Sequence, residues 1–183
     1  FSSYVSFKDK HINLIMDIGS SPNKKFSEEY QAGALSFEFI SNGKKIFTNS
    51  GYYGEDNMKL NEISRSSAVH NVLVIDDNSS CKFIKNSFSN FEVKDGLKIH
   101  KKNVSFEKDK WKIIASHNGY LKKYDLSYER EIQFFPKNNE LIGIEKLKSK
   151  KTISNVKFNI RFHLNPVTKV MKTQDKKSIL IEI

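Results

Sequence analysis

Apolar residues in this chain recur at every second position in short runs, and most runs are separated by turn-forming residues. ALSFEFI (34–40), KIFTNS (45–50) and NVLVID (71–76) read this way. So do FEVKDGLKIH (91–100), WKIIASH (111–117), LSYEREIQFF (126–135), ELIGIEKL (140–147), NVKFNIRFHL (155–164) and ILIEI (179–183). A period of two buries one face of a strand and wets the other. Asn42-Gly43 and Asp95-Gly96 predict hairpins, and Asn118-Gly119 and Pro136 with Asn138-Asn139 predict further turns. No long segment carries a helical period; KLNEIS (59–64) amounts to one helical turn. The expected fold is an all-β, antiparallel, multi-stranded β-sandwich with little helix.

The chain has 183 residues, enough for one domain with a real core. No linker or internal repeat divides it, so 1–183 reads as a single β-sandwich domain. It starts at Phe1 and stops inside an alternating run, which suggests a piece of a longer protein. No apolar run approaches the roughly 20 residues of a membrane span. Cys81 is alone, which excludes an internal disulfide and a cysteine-based metal site. The formal charge of +10 is almost all lysine; the arginines are Arg65, Arg130 and Arg161. Scattered lysine reads as solvated surface, with attraction for an anionic polymer as the lesser reading. Nucleic acid is not expected, because aromatic residues do not cluster with lysines on one strand face.

The most informative block runs from Gln31 to Asp76. It places strands on either side of a loop rich in Gly, Asn, Tyr and Arg, with His70 and Asn71 at the mouth of the second strand. The long stretches 19–33 and 50–70 are the expected loops, the second covering or lining a site.

ALSFEF, a hairpin, TNSG, and then R-x-x-x-x-H-N before a strand resemble the C-terminal β-domain of the heparinase II/III family. MDIG (16–19), SHNGY (116–120), YEREI (128–132) and RFHLNP (161–166) resemble further family motifs in the same order. The resemblance implies a super-sandwich β-domain of a polysaccharide lyase. An N-terminal helical α/α toroid of the same parent chain would form the other side of a cleft for an anionic, uronate-containing glycan. It implies β-elimination: a base removes the C5 proton of a uronate while donors neutralise its carboxylate. A periplasmic location follows from family habit, with the cytoplasm as the alternative. The isolated domain would be inactive. The rival reading is a non-catalytic carbohydrate-binding or scaffolding sandwich.

By the same resemblance, His70 is the catalytic candidate, and Arg65, Asn71, Gln31, Asn49, His117 and Tyr52 are the substrate-binding candidates. Each has a plainer reading. His70 braces the loop, Arg65 pairs with Glu55 or Asp56, Asn71 caps the strand entry, and Tyr52 and His117 serve packing and turns. His163, set among apolar residues, reads as a satisfied core histidine. Zinc-containing members carry ligands at positions that fall on Gln31, Asn49 and His70, with Glu29 at another motif histidine. Amides at 31 and 49 are poor zinc partners, so no metal or other cofactor is expected. Those amides would instead bond each other and His70.

Overall fold

The structure, a computed structural model, describes residues 3–54, 57–87, 90–151 and 155–183. Four strands, β1 (Tyr4–Lys8), β2 (Ile12–Asp17), β3 (Phe37–Ser41) and β4 (Lys44–Phe47), form one antiparallel sheet in chain order. A second four-stranded antiparallel sheet is built from β8 (Ile99–Glu107), β9 (Lys110–His117), β10 (Ser127–Phe135) and β11 (Glu140–Lys148). Their inner faces share one core. Phe7, Leu14, Met16, Phe37 and Phe39 meet Ile113, Ala115, Tyr128, Ile132 and Phe134. The expected sandwich is what forms. Two-stranded pairs flank it: β5 (Leu73–Ile75) with β12 (Phe158–Ile160), β6 (Lys82–Lys85) with β7 (Phe91–Asp95), and β13 (Lys169–Lys172) with β14 (Ile179–Glu182). Among the described residues, helix is confined to α1 (Met58–Ser64), α2 (Leu121–Tyr124) and two short 3-10 turns. No helix among the described residues is long and apolar enough to cross a membrane.

Asn42-Gly43 makes the expected tight hairpin between β3 and β4, with φ of 47° and 76° at its two residues. Both angles are positive, as the turn that suits strand twist requires. Asp95-Gly96 makes no hairpin. Strand β7 pairs with β6 and β8 pairs with β9, so the turn carries the chain from one sheet to another. Ser21 holds it there, with its N–H donating to Leu97 O at 3.0 Å and its Oγ accepting from Leu97 N–H at 2.9 Å. A Cβ on Gly96 would meet Ser21 Cβ at 2.9 Å. The glycine serves close approach rather than a two-residue turn.

The SHNGY motif is a packing device. His117 Nδ1 accepts from Gly119 N–H at 3.0 Å, and Tyr120 Oη donates to Leu73 O at 3.0 Å. A Cβ at Gly119 would lie 2.5 Å from the backbone oxygen of Ser80. Gly119→Ala should therefore cost about 1–3 kcal/mol, as overpacking does. The midpoint of urea unfolding checks it, and an unchanged midpoint would refute the contact.

On the outer face of β10, Glu129 receives Lys101 and Lys148 at 2.9 Å each. Burial works to raise the Glu129 carboxyl, but the two lysine hydrogen bonds hold it down at about 2. Part of the lysine excess is thus spent inside the sheet surface.

Candidate functional site

Strand β2 ends at Asp17, and the chain returns through residues 29–36 to start β3. This return brings Gln31 and Gly33 against His70, which follows the 3-10 turn Ser67–Val69. A Cβ at Gly33 would touch the His70 ring at 3.1–3.3 Å, so glycine allows the two segments to close. Around this contact lies a cavity of about 400 Å³. Its walls include Gln31, Asn49 and His70, together with Tyr4, Asp17, Glu29 and Glu38. Residues more than twenty positions apart thus converge on one site.

His70 is only 2% exposed, yet it lines this cavity. Its Nε2 has no hydrogen-bond partner, and neither has Gln31 Nε2. Burial pushes the His70 imidazole down to about 4, against an opposing pull from the Ser64 backbone. The ring is neutral at physiological pH. With the Ser64 backbone engaging the ring, Nε2 is left buried and without a partner. Asp17 behaves oppositely. Burial pushes its carboxyl up to about 6, although Gly19 N–H donates to its Oδ1 at 2.7 Å. The Tyr4 phenol is also raised, first by burial and then by the Asp17 and Glu38 carboxylates. Glu38 receives Lys45 Nζ at 2.8 Å and the Asn49 N–H at 3.1 Å.

The other expected site residues fall elsewhere. Asn71 is fully buried, and all its polar groups are engaged within the protein. Its Nδ2 donates to Phe37 O (2.8 Å) and Thr48 O (3.1 Å), its N–H to Asn49 Oδ1 (2.9 Å), and its Oδ1 accepts from His163 N–H. The expectation that it grips a sugar is corrected: it has no donor to spare. It ties β3, β4 and the RFHL segment together. His117 is likewise corrected from cleft residue to core residue, sealed between Tyr120 and Tyr128. His163 Nε2 meets Ala68 O at 3.0 Å, as a satisfied structural histidine does.

Arg65 is buried and does not reach the His70 cavity. Its Nε donates to Asn61 Oδ1 at 2.7 Å and its Nη1 to Tyr30 O at 3.1 Å. Its guanidinium stacks on Tyr52, Phe83 and Phe91 at 5.2–5.8 Å. These contacts staple loop 50–70, while Arg65 also lines two other pockets of the domain rather than the His70 cavity. Glu55 and Asp56, its expected pairing partners, lie outside the described residues. Tyr52 packs on this staple and lines a small separate pocket with Arg65 and Met58.

The expected bonds from the amides at 31 and 49 to His70 do not form: His70 Nε2 and Gln31 Nε2 are both unpartnered, and Asn49 Oδ1 accepts from Asn71. That donor set does not fit a zinc ion. Gln31 and Asn49 offer neutral amides, and the Asn49 oxygen is already occupied. Among the described residues, no three His, Cys, Asp or Glu side chains gather as metal ligands.

A larger open groove of about 1130 Å³ runs between β6–β7 and α2, lined by lysines and by Cys81. Lys122 there pairs with Asp95 at 2.8 Å and Lys123 donates to Asn78 at 2.7 Å. The smaller cavity is lined by Gln31 and His70, each with a buried nitrogen that lacks a partner, and is the better candidate site.

The cavity residues that sequence reading missed are Tyr4 and Asp17, while Glu38 takes a basic partner, Lys45. Their positions follow from strand register, since Tyr4 pairs with Asp17 and Ile15 with Glu38.

With this fold and cavity in view, the comparisons define a class. The family model for the heparinase II/III-like C-terminal domain matches residues 2–183. The chain belongs to that family. No curated protein sequence matches it. Among solved structures, the heparan sulfate lyase HepC from Pedobacter heparinus superposes with a TM-score of 0.70 at 14% identity, over 97% of this chain and 25% of that one. A heparinase III (the BT4657 gene product) gives 0.70 at 15% identity, over 100% and 25%. Another heparinase III gives 0.69 at 18% identity, over 97% and 26%. These likenesses concern the fold. The chain spans about a quarter of the length of those proteins.

Proposed function

We propose that this chain forms one wall of the cleft of a polysaccharide lyase that cleaves an anionic, uronate-containing glycan by β-elimination. The observation that carries this reading is the convergence of Gln31, Asn49 and His70 on one cavity, with a buried, unpartnered nitrogen on both Gln31 and His70. An unpaired buried polar atom is costly unless something completes it. A sugar hydroxyl is a suitable complement. In this reading a helical lobe of the same parent chain faces the cavity and supplies the group that takes the C5 proton. His70 holds a sugar hydroxyl at Nε2 and relays its proton. The neutral imidazole cannot neutralise a carboxylate by charge, so that task falls to donors on the facing lobe. No zinc takes part.

The test is the full-length protein on a panel of uronate glycans, followed by the ultraviolet absorbance of unsaturated products. Turnover should be detected and should survive chelators. His70→Ala should lower kcat by about 100-fold, the scale of a lost proton-transfer partner. Residues 1–183 alone should be inactive. Full turnover by residues 1–183 alone would sink the proposal. Amides at 31 and 49, where relatives with zinc have ligands, favour a second reading: a sandwich that binds glycan without cutting it. Glycan binding by the full-length protein without product would decide for that one.

A further inference from the structure

Two concavities of this domain carry opposite charge. Asp17, Glu29 and Glu38 line the His70 cavity, and among the described residues no lysine or arginine does. The groove between β6–β7 and α2 is the reverse. Lys82, Lys94, Lys122 and Lys123 stand on its walls, against Glu62 and Asp95. No residue lines both concavities. Three of the lysines crowd one carboxylate. Lys82 faces Asp95 across the β6–β7 pairing, and Lys122 Nζ reaches Asp95 Oδ1 from α2 at 2.8 Å. That carboxyl is held below its usual range, first by the Lys122 hydrogen bond and then by the charges of Lys122, Lys82 and Lys94. Lys82 and Lys94 have no ion pair of their own among the described residues. Lys123 spends its donor on the neutral Asn78 Oδ1 at 2.7 Å. The groove therefore keeps a surplus of positive charge that the protein does not neutralise.

We infer that this groove is an accessory binding site for an anionic polysaccharide, holding a stretch of the chain away from the bond that is cleaved, with Lys82 and Lys94 on its sulfate or carboxylate groups. The inference rests on the lyase reading for its ligand class and adds a second point of attachment. An ammonium is a point charge on a flexible stem, so it follows anionic groups along a chain without fixing the geometry of one ring. The groove volume, about 1130 Å³, exceeds an ordinary small-molecule pocket and suits a segment of polymer. Phe83, Leu121 and Tyr124 add apolar surface for sugar faces between the charges. The His70 cavity, lined by carboxylates, cannot draw in a polyanion by its own charge. The groove supplies that attraction on the same domain and raises the local concentration of chain.

The experiment uses the full-length protein with a long uronate polymer, its sulfated form, a neutral polymer of equal length and a uronate tetrasaccharide. Calorimetric titration at low salt reads binding, and kinetics read KM and kcat. Lys82→Gln combined with Lys94→Gln should weaken binding of a charged polymer by about fivefold or more, the scale of two exposed ion pairs. KM for that polymer should rise to match, while kcat and the KM of the tetrasaccharide stay unchanged. Both lysines are exposed, so the variant should fold. The loss should shrink as salt is added. The charged polymer that loses more affinity identifies whether sulfate or carboxylate is read. Lys8→Gln combined with Lys10→Gln removes the same charge from exposed positions outside both concavities and should leave binding unchanged. An equal loss in that control, unchanged binding in the groove variant, or a neutral polymer bound as tightly as a charged one overturns the site. So does tighter binding of a single-stranded oligonucleotide through the same lysines, which would assign the groove to nucleic acid. If no polymer is cleaved, the lyase reading fails, and the titrations still judge the groove because they need no turnover.

Discussion

Arg130→Met should lower the unfolding free energy by about 3–5 kcal/mol, the usual cost of breaking a buried ion pair from one side. Arg130 is completely buried, and its Nε lies 2.8 Å from Glu145 Oε1. Its Nη1 donates to Leu35 O at 2.7 Å and also to Asn71 O. Tyr128 Oη donates to the other Glu145 oxygen at 2.5 Å. Removing the guanidinium leaves Glu145 with Tyr128 as its remaining donor and no cation, and deprives the Leu35 and Asn71 carbonyls of the Arg130 donor. Methionine fills much of the volume, so the loss is electrostatic rather than a cavity. For a domain of this size the melting temperature should fall by about 10 °C. Pairing the change with Glu145→Leu should recover part of the loss, because both charges then leave together. If Arg130→Met alone melts within a degree or two of the parent, the pair is not holding the core. The effect reaches the candidate site through Asn71, whose carbonyl Arg130 holds and whose N–H binds Asn49. The same variant should therefore loosen the cavity wall as well as the sandwich.

Arg130 also shows where sequence reading succeeds and where it stops. The inward set on β10 is Tyr128, Arg130, Ile132 and Phe134, a plain alternation that includes the arginine. Its register announces burial, although charge alone suggests the surface. The sandwich was legible because the period of two is written into nearly every strand. Asn42-Gly43 was legible because its turn is local. Asp95-Gly96 was not, since its role depends on Ser21, far away in the chain. In the site, the shared cavity of Gln31, Asn49 and His70 was legible from motif order. Arg65, Asn71 and His117 misled because the polarity that suits a ligand equally suits an internal staple. Only the surroundings distinguish them: Asn71 spends every side-chain group on backbone, whereas His70 keeps one nitrogen without a partner. Asp17 and Tyr4 escaped notice because they face each other across a strand pairing that no local pattern specifies.

Acid should unfold this domain in a window set by its buried imidazoles. Burial pushes His70 down to about 4 and His117 down to about 3, the latter with added repulsion from His100 and Arg130. An unfolded histidine binds its proton near pH 6.5. Between about 6.5 and 4 the unfolded chain therefore holds two protons that the folded chain refuses, and stability falls as pH drops. Asp17 works against this. Its folded carboxyl protonates at about 6, above its unfolded value, so it contributes stability as pH falls from about 6 toward 4. Two imidazoles against one carboxyl leave a net difference of one proton. The slope is then about 1.4 kcal/mol per pH unit, or about 2–3 kcal/mol lost between pH 6 and pH 4. Below about 4.5 the Glu129 carboxyl, held down at about 2, extends the loss. Urea midpoints at a series of pH values should trace this decline, with a plateau above pH 7. His117→Gln, which keeps an acceptor for the Gly119 N–H, should flatten the slope between pH 6 and 4 nearly to zero. An Asp17→Asn variant should steepen it toward twice the parent value. If the parent is equally stable at pH 7 and pH 4.5, or if the two variants share its slope, these imidazoles are not the buried neutral groups that their surroundings imply.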